Sequence, residues 1–308
     1  MIQRLLPFLT LIVLFVGLSI ASPDHFLTKT NLSSVVRQTA VINLLALGMT
    51  LVIIAGGIDL SVGAILAIGG LLGAMAMEKG LPIWLGVVIG ILVGGFWGVV
   101  NGLLTTKLKI NPFIVTLGTL GIIRGTTLII SNGLPVHQIP QAFSFLGEGN
   151  LLGVPFVLWV LVVCALAVHV VLEHTRLGRY SFSIGSNPDA AYYAGIPVAF
   201  HTTAVYAICG MLTGLGGMIE ASRLMTGQPT AGQGYELQAI AAVVIGGGSL
   251  RGGEGSVIGT LVGAFIMGLL ANGSDLLGIS PYLQQAIIGA VIILAVSVDE
   301  LRKRKSTS

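Results

Sequence analysis

Long apolar segments recur along the whole chain and are separated by short polar connections. An α-helix needs about 20 mainly apolar residues to cross the hydrocarbon core of a bilayer. Ten segments are predicted on this basis to be membrane spans: Leu5–Ala21, Thr39–Ala55, Ser61–Met77, Leu81–Thr105, Pro112–Ile130, Val154–Leu172, Thr202–Ala221, Leu237–Ile245, Val257–Gly273 and Tyr282–Val298. Of these, Leu237–Ile245 is too short to cross alone, so it is predicted either to extend back through Gln228–Gln238 or to be a broken or re-entrant helix.

The low content of charge excludes a soluble domain. Charged residues make up only 9% of the 308 residues, whereas soluble domains contain about 25%. The predicted fold class is therefore all-α, a polytopic bundle of about ten transmembrane helices, since a β-barrel would show short alternating strands instead of continuous apolar runs. Glycines spaced four residues apart, such as Gly90 with Gly94 and Gly210 with Gly214, predict close contacts between helices.

Two polar, glycine-rich stretches interrupt the apolar runs, one near each end of the chain: Gly56–Gly63 and Gly246–Ser256. Glycine allows backbones to approach closely and to adopt positive φ angles. Each stretch is therefore predicted to be a tight turn between two membrane helices. Asp59 stands just before a predicted helix, and its carboxylate can accept hydrogen bonds from free N–H groups, so a capping role is favoured over a role as a substrate ligand.

The distribution of Lys and Arg predicts the orientation in the membrane, because these residues are enriched on the cytoplasmic side. With the N-terminus in the cytoplasm, ten of them fall inside and four fall outside. The inner set is Arg4, Lys107, Lys109, Arg176, Arg179, Arg251, Arg302, Lys303, Arg304 and Lys305, and the outer set is Lys29, Arg37, Lys79 and Arg223. Both termini and both glycine-rich stretches are thus predicted to be cytoplasmic, and Ser131–Gly153 is predicted to be external.

The sequence contains none of the common catalytic motifs. A phosphate-binding loop, a zinc-protease motif and a dinucleotide-binding motif are all absent, and the five histidines have no metal-ligand spacing. No catalytic residue, metal site or cofactor is therefore predicted. If transport through this protein uses ATP, another subunit must bind it.

Charged side chains within spans are costly, so each is a candidate for the translocation pathway. Arg124 is predicted to line that pathway or to pair with a carboxylate such as Asp59 or Glu220, and the alternative is that it snorkels towards the surface. Glu220 lies near the outer end of its span, which favours an interfacial role. Asn111 is predicted to cap the fifth span. These four residues form the tentative pathway set.

The longest predicted inner connection runs from Glu173 to about Phe200 and contains the clearest local helix signal. Asn187 can cap a helix, Pro188 suits its first position, and Asp189 favours its positive end. Gly195 is predicted to end the helix. Two interpretations are open: an interfacial helix that rests on lipid, or a docking helix for a cytoplasmic partner.

Several stretches resemble the permease subunits of bacterial ATP-binding cassette (ABC) importers for monosaccharides, with the ribose permeases as the nearest branch. The resemblance extends from about Leu32 to Val298 and is specific to the family, although not to one sugar. The stretches that carry it are Gly48–Ile53 leading into Gly56–Gly63, His174–Tyr180, Gln228–Gly232, Gly234–Leu237, and Ala239–Gly247 with Gly252 and Gly253.

This resemblance implies one transmembrane permease domain over residues 1–308, in the inner membrane of a bacterium. It implies a separate ABC ATPase subunit, a periplasmic or lipid-tethered sugar-binding protein, and a second permease subunit, identical or different, with membrane lipid around them and no nucleic acid. In the family, the loop after the sixth span docks into the ATPase. That role carries over to Gly185, Asn187, Pro188, Asp189, Ala190, Ala191, Ala194 and Gly195.

Two other kinds of transporter remain as alternatives. A branched-chain amino-acid ABC permease is a neighbour in the same superfamily, and it would use a charge or a half-helix N-terminus for the substrate carboxylate. An ion-coupled secondary transporter would need carboxylates inside the bundle, for which Asp59 and Glu220 are the nearest candidates. The sequence does not identify the sugar.

Overall fold

The computed structural model describes residues 2–280, 282–291, 293, 294 and 297. Almost all of its regular structure is helical, with a short 3₁₀ helix (Gln141–Ser144) and a two-stranded antiparallel hairpin, β1 (Asn150–Leu151) and β2 (Val154–Pro155). The helices are α1 (Ile2–Ala21), α2 (Pro23–Phe26), α3 (Lys29–Ile54), α4 (Val62–Glu78), α5 (Ile83–Lys107), α6 (Pro112–Ser131), α7 (Phe145–Glu148), α8 (Phe156–His174), α9 (Arg176–Ser186), α10 (Pro188–Tyr193), α11 (Val198–Leu224), α12 (Tyr235–Ile245) and α13 (Val257–Leu276).

Within the described residues, six helices are long and apolar enough to cross a membrane: α3, α5, α6, α8, α11 and α13. Shorter apolar helices occur at Leu6–Ala21, in α4 and in α12. The predicted class, a helical membrane bundle, is therefore confirmed, whereas the number of ten spans stays a prediction. The tenth predicted span, Tyr282–Val298, lies partly outside the described residues, and the basic segment 302–305 lies wholly outside them.

Helix α3 lies at the centre of the bundle. Every residue from Thr39 to Ile54 is buried, because α3 packs against α8, α11, α12 and α13. The helices at the periphery expose large apolar side chains instead, such as Trp159 and Val163 on α8. Such a face suits contact with lipid rather than with water.

Helix α5 packs closely against α11 through the predicted glycine faces. A Cβ atom on Gly94 would collide with the carbonyl oxygen of Gly210, and a Cβ atom on Gly210 would collide with that of Gly94. Gly214 approaches the carbonyl oxygen of Gly90 in the same way. The predicted close contact at these glycines is confirmed. The two backbones can come so near because glycine has no side chain.

The segment between α11 and α12, residues 226–234, descends into the bundle; we call it the descending segment. Near its start, Gly227 contacts Leu71 on α4, and five residues later Gly232 contacts Gly63, close to the start of the same helix. Eight helical residues correspond to a descent of about 12 Å. The residues in between form consecutive turns, one of them closed by a hydrogen bond of 3.1 Å from the amide of Ala231 to the carbonyl oxygen of Gln228. Helix α12 begins only at Tyr235, so the short span is preceded by non-helical chain and is a broken helix.

Candidate functional site

The two glycine-rich stretches meet at one point, together with the end of α9. The amide nitrogen of Gly253 donates a hydrogen bond of 2.9 Å to the carbonyl oxygen of Ile54. A Cβ atom on Gly185 would collide with that carbonyl oxygen, and one on Gly252 would lie 2.9 Å from the Cα atom of Gly56. We call Gly56, Gly185, Gly252 and Gly253 the glycine junction. It ties the connection α3–α4, the connection α12–α13 and the end of α9 together by backbone contact alone.

The backbone conformation also requires glycine at this junction. Gly56, Gly252 and Gly253 have φ angles of 80°, 87° and 75°, values that residues with a Cβ atom adopt only with strain. Gly185 was predicted to belong to the ATPase-coupling loop, but nothing in its local sequence indicates that it contacts the two distant turns. The one signal in the sequence is that both turns are rich in glycine, which favours close backbone contact.

The predicted short helix in the inner connection is present as α10, which follows α9 directly. The side chain of Asn187 accepts a hydrogen bond of 2.9 Å from the amide of Ala190, and Pro188 occupies the first turn. Ala191 is buried, whereas Tyr192 and Tyr193 are 68% and 86% exposed. Helix α10 therefore presents aromatic side chains outward and anchors itself through Ala191.

The other residues of the predicted coupling set fit the same arrangement. Asp189 lies in the first turn of α10, Ala194 caps its end, and Gly195 has a φ angle of 81°, as a helix-ending glycine does. Ala190 and Ala194 are exposed beside the two tyrosines. The set is thus exposed except for the buried Ala191 and the half-buried Gly185, which belongs to the glycine junction.

A second polar centre lies around Asp59, which is completely buried. Its Oδ1 atom accepts hydrogen bonds from the amide nitrogen (2.9 Å) and the hydroxyl (2.6 Å) of Ser61. The side-chain amide of Asn101 donates to the Ser61 hydroxyl oxygen at 2.8 Å, and its carbonyl oxygen accepts from the Thr119 hydroxyl at 2.7 Å. Burial raises the pKa of the Asp59 carboxyl, while the bonds from Ser61 and Asn101 lower it. We call these four residues the Asp59 cluster.

The predicted turn-forming role of Asp59 agrees with this geometry, whereas the predicted capping role does not: the N-cap of α4 is Ser61, and Asp59 accepts from Ser61 and not from an amide in the first turn of the helix. The cluster fixes the turn before α4 against α5 and α6, which supply Asn101 and Thr119. Sequence reasoning missed these two residues. The signal that could have found Asn101 is an amide within an otherwise apolar span, because such a group needs a partner inside the bundle.

Arg124 has different partners from those predicted. Its Nη1 atom donates hydrogen bonds of 2.9 Å to the carbonyl oxygens of both Pro229 and Ala231 in the descending segment. Neither Asp59 nor Glu220 takes part in these bonds. An arginine on α6 therefore satisfies backbone carbonyl groups that helical hydrogen bonding leaves without partners.

The remaining members of the tentative pathway set lie apart from Arg124. Glu220 is buried near the end of α11, where it forms an ion pair of 3.1 Å with Arg223 and accepts a hydrogen bond from the Tyr235 hydroxyl at 3.4 Å. Asn111 is exposed and caps α6, since its side chain accepts from the amide of Phe113 at 2.9 Å. The structure therefore brings no two of these four residues together, and their part in a pathway stays a prediction.

Comparison with known proteins gives the family. Residues 31–296 match the family described as "Branched-chain amino acid transport system / permease component". The chain belongs to this permease family. The bundle of apolar helices is therefore that of a multi-pass membrane transport protein, and the buried turns and the descending segment are parts of a permease.

Individual relatives cover almost the whole chain. The ribose import permease protein RbsC of Escherichia coli (strain K12) is 43% identical over 299 residues, which are 96% of this chain and 93% of that protein. The protein of the same name from Bacillus subtilis (strain 168) is 44% identical over 96% of this chain and 92% of its own length. The D-allose transport system permease protein AlsC of Escherichia coli (strain K12) is 38% identical over 91% and 86%. No solved structure matched the chain.

The Asp59 cluster yields a first test. The substitution Asn101→Leu removes the amide that bonds Asp59, Ser61 and Thr119, although Asp59 keeps its bonds from Ser61 and Thr119 keeps one to the Thr116 carbonyl oxygen. We expect the free energy of unfolding in detergent to fall by about 1–3 kcal/mol, measured by thermal or denaturant unfolding. The control is Leu103→Ala, which changes an exposed side chain of the same helix without removing a hydrogen bond. Equal stability of Asn101→Leu and wild type would contradict a structural role for the cluster.

Proposed function

We propose that this protein is the membrane-spanning permease subunit of an ABC importer that takes up a monosaccharide, ribose or a similar sugar. The observation that carries the proposal is 43% identity to a ribose import permease over 96% of the chain. The family description names branched-chain amino acids, whereas the individual relatives are named for ribose and D-allose. The near full-length identity to the sugar permeases makes a sugar the favoured substrate.

The proposal includes the partners that such an importer requires. A separate ATPase subunit supplies the energy, a periplasmic or lipid-tethered binding protein delivers the sugar, and a second permease subunit completes the pathway. The protein is placed in the bacterial inner membrane with both termini in the cytoplasm, in agreement with the excess of Lys and Arg on that side.

Helix α10 is the proposed docking site for the ATPase. Its support is the outward pair Tyr192 and Tyr193, because aromatic side chains are enriched where protein interfaces are strongest. A helix that only rested on lipid would need a longer apolar face than the six residues of α10 provide.

The glycine junction is the proposed link between docking and the pathway. Helix α10 follows α9 without a spacer, and Gly185 at the end of α9 touches both glycine-rich turns. A displacement of α10 therefore acts at once on the end of α3 and on the connection between α12 and α13, through direct backbone contact at Gly185. The ATP-bound ATPase binds one position of α10 more tightly than the other. ATP thereby shifts the population of the permease towards the conformation that has this position of α10.

Uptake in reconstituted vesicles tests the proposed function. The protein, its cognate ATPase and its binding protein are reconstituted together, and ribose, xylose, arabinose, galactose and leucine are offered with and without ATP. We expect ATP-dependent uptake of one sugar. Uptake of leucine alone would move the protein to the amino-acid permeases, and uptake driven by an ion gradient without ATP would contradict an ABC importer.

A charged substitution on α10 tests the docking site. The variant Tyr193→Asp should insert into the membrane normally, because the side chain is 86% exposed, and should lose most co-purification of the ATPase, since a carboxylate replaces an aromatic contact. Leu152→Asp is the matched control, because Leu152 is 84% exposed in the hairpin between β1 and β2, which is predicted to be external. Undiminished co-purification with Tyr193→Asp would contradict docking at α10.

A substitution in the glycine junction separates docking from transmission. In Gly185→Ala the new methyl group collides with the Ile54 carbonyl oxygen and lies 2.6 Å from the Gly253 nitrogen. We expect the ATPase to co-purify as before while sugar uptake per ATP hydrolysed falls at least several-fold. Ser183→Ala, on the exposed side of the same helix, is the control. Unchanged uptake per ATP in Gly185→Ala would refute transmission through this contact.

A further inference from the structure

The descending segment exposes polar side chains at the depth of the membrane interior. Thr230 and Gln233 are exposed, and the side-chain amide of Gln228 donates to the Thr230 hydroxyl at 3.0 Å. In sequence this stretch has the composition of an ordinary external loop. Its contacts place it lower, since Gly232 lies against Gly63 near the start of α4.

Arg124 gives an independent measure of that depth. It is twelve residues from Pro112 at the start of α6, which corresponds to about 18 Å along the helix. The hydrocarbon core of a bilayer is about 30 Å thick, so the guanidinium lies near its middle. There it holds the carbonyl oxygens of Pro229 and Ala231. The residue between them, Thr230, therefore lies at the same depth.

The helix beside this segment, α6, leaves open space next to two of its glycines. No atom lies within 4 Å of the place where a side chain of Gly121 or Gly125 would stand. Elsewhere α6 exposes large apolar side chains such as Ile122 and Ile129, as α8 does with Val163 and Leu166. The polar character of this side of the protein therefore comes from the descending segment itself and not from α6.

Lipid cannot cover the descending segment at low cost. Non-helical backbone at membrane depth is tolerated where it is buried in protein or lines a water-filled cavity, and polar side chains there mark substrate pathways. Thr230 and Gln233 are exposed in the protomer, and their hydroxyl and amide groups are suited to water and to sugar hydroxyls rather than to lipid tails.

We infer that the descending segment, together with Arg124, forms the polar wall of the aqueous translocation pathway, and that Thr230 and Gln233 are the groups that meet the sugar. A neutral polyol needs donors and acceptors in equal measure, which a hydroxyl and a side-chain amide provide. Arg124 positions the wall through the two carbonyl groups. That the ligand is a sugar rests on the proposed function. That the descending segment lines an aqueous pathway does not depend on it.

Thiol accessibility tests the wall in the full transporter in vesicles. In a background of Cys164→Ala and Cys209→Ala, the variants Thr230→Cys and Gln233→Cys are treated with a charged, membrane-impermeant methanethiosulfonate reagent. We expect both to react at least tenfold faster than the control Val163→Cys on the face of α8. Reaction as slow as that of Val163→Cys would overturn the inference, and so would a disulfide between two copies of Thr230→Cys in place of labelling.

The contact with sugar is tested separately. We expect ribose, or the sugar found by uptake, to slow the labelling of Gln233→Cys, and we expect Gln233→Ala to raise the KM for uptake several-fold while ATPase co-purification is kept. Val163→Ala is the control for uptake. Fast labelling without either effect would overturn the sugar contact. Failure to take up any sugar would count against the proposed function, and the labelling rates would then still test whether the descending segment lines an aqueous pathway.

Discussion

The structure depends on one constraint, the need to satisfy every backbone polar group away from water. Helices meet it by themselves, but three irregular stretches lie within the bundle: the two glycine-rich turns and the descending segment. Each one finds its partners in protein. Gly253 donates to the Ile54 carbonyl, Ser61 donates to Asp59, and Arg124 donates to two carbonyl oxygens of the descending segment. The central position of α3 and the dense glycine contacts follow, because only close packing can bury so much irregular backbone.

Close backbone contact also makes the protein suited to transmit movement. Where two elements touch through side chains, a change of rotamer can absorb a displacement. At the glycine junction the backbone of Gly185 lies directly against that of Gly252, so a displacement is passed on. The Asp59 cluster has the complementary task, since its buried hydrogen bonds hold the turn before α4 against α5 and α6. One turn is thereby connected to the proposed docking helix and, through Thr119, to α6.

Sequence reasoning succeeded where the relevant interactions are local. Asn187 and Asn111 cap their helices as predicted, because a cap involves residues only two or three positions away. The facing glycines of α5 and α11 were also predictable as contact faces from their spacing of four. The partners of Arg124 were not, because its bonds reach residues more than one hundred positions later in the chain. Sequence distance also hid Asn101, which lies 42 positions after Asp59, and Thr119 from the prediction of the Asp59 turn.

The sequence by itself determined the class of the protein: a helical membrane bundle without catalytic motifs, with two glycine-rich turns and one capped helix in an inner connection. Hydropathy, charge distribution and capping are properties of short windows, so they can be read without the fold. Only the tertiary structure decided that the two turns meet at Gly185 and that the polar stretch after α11 descends beside Arg124. These features depend on which distant backbones pack together, and that is set by the fit of whole helices.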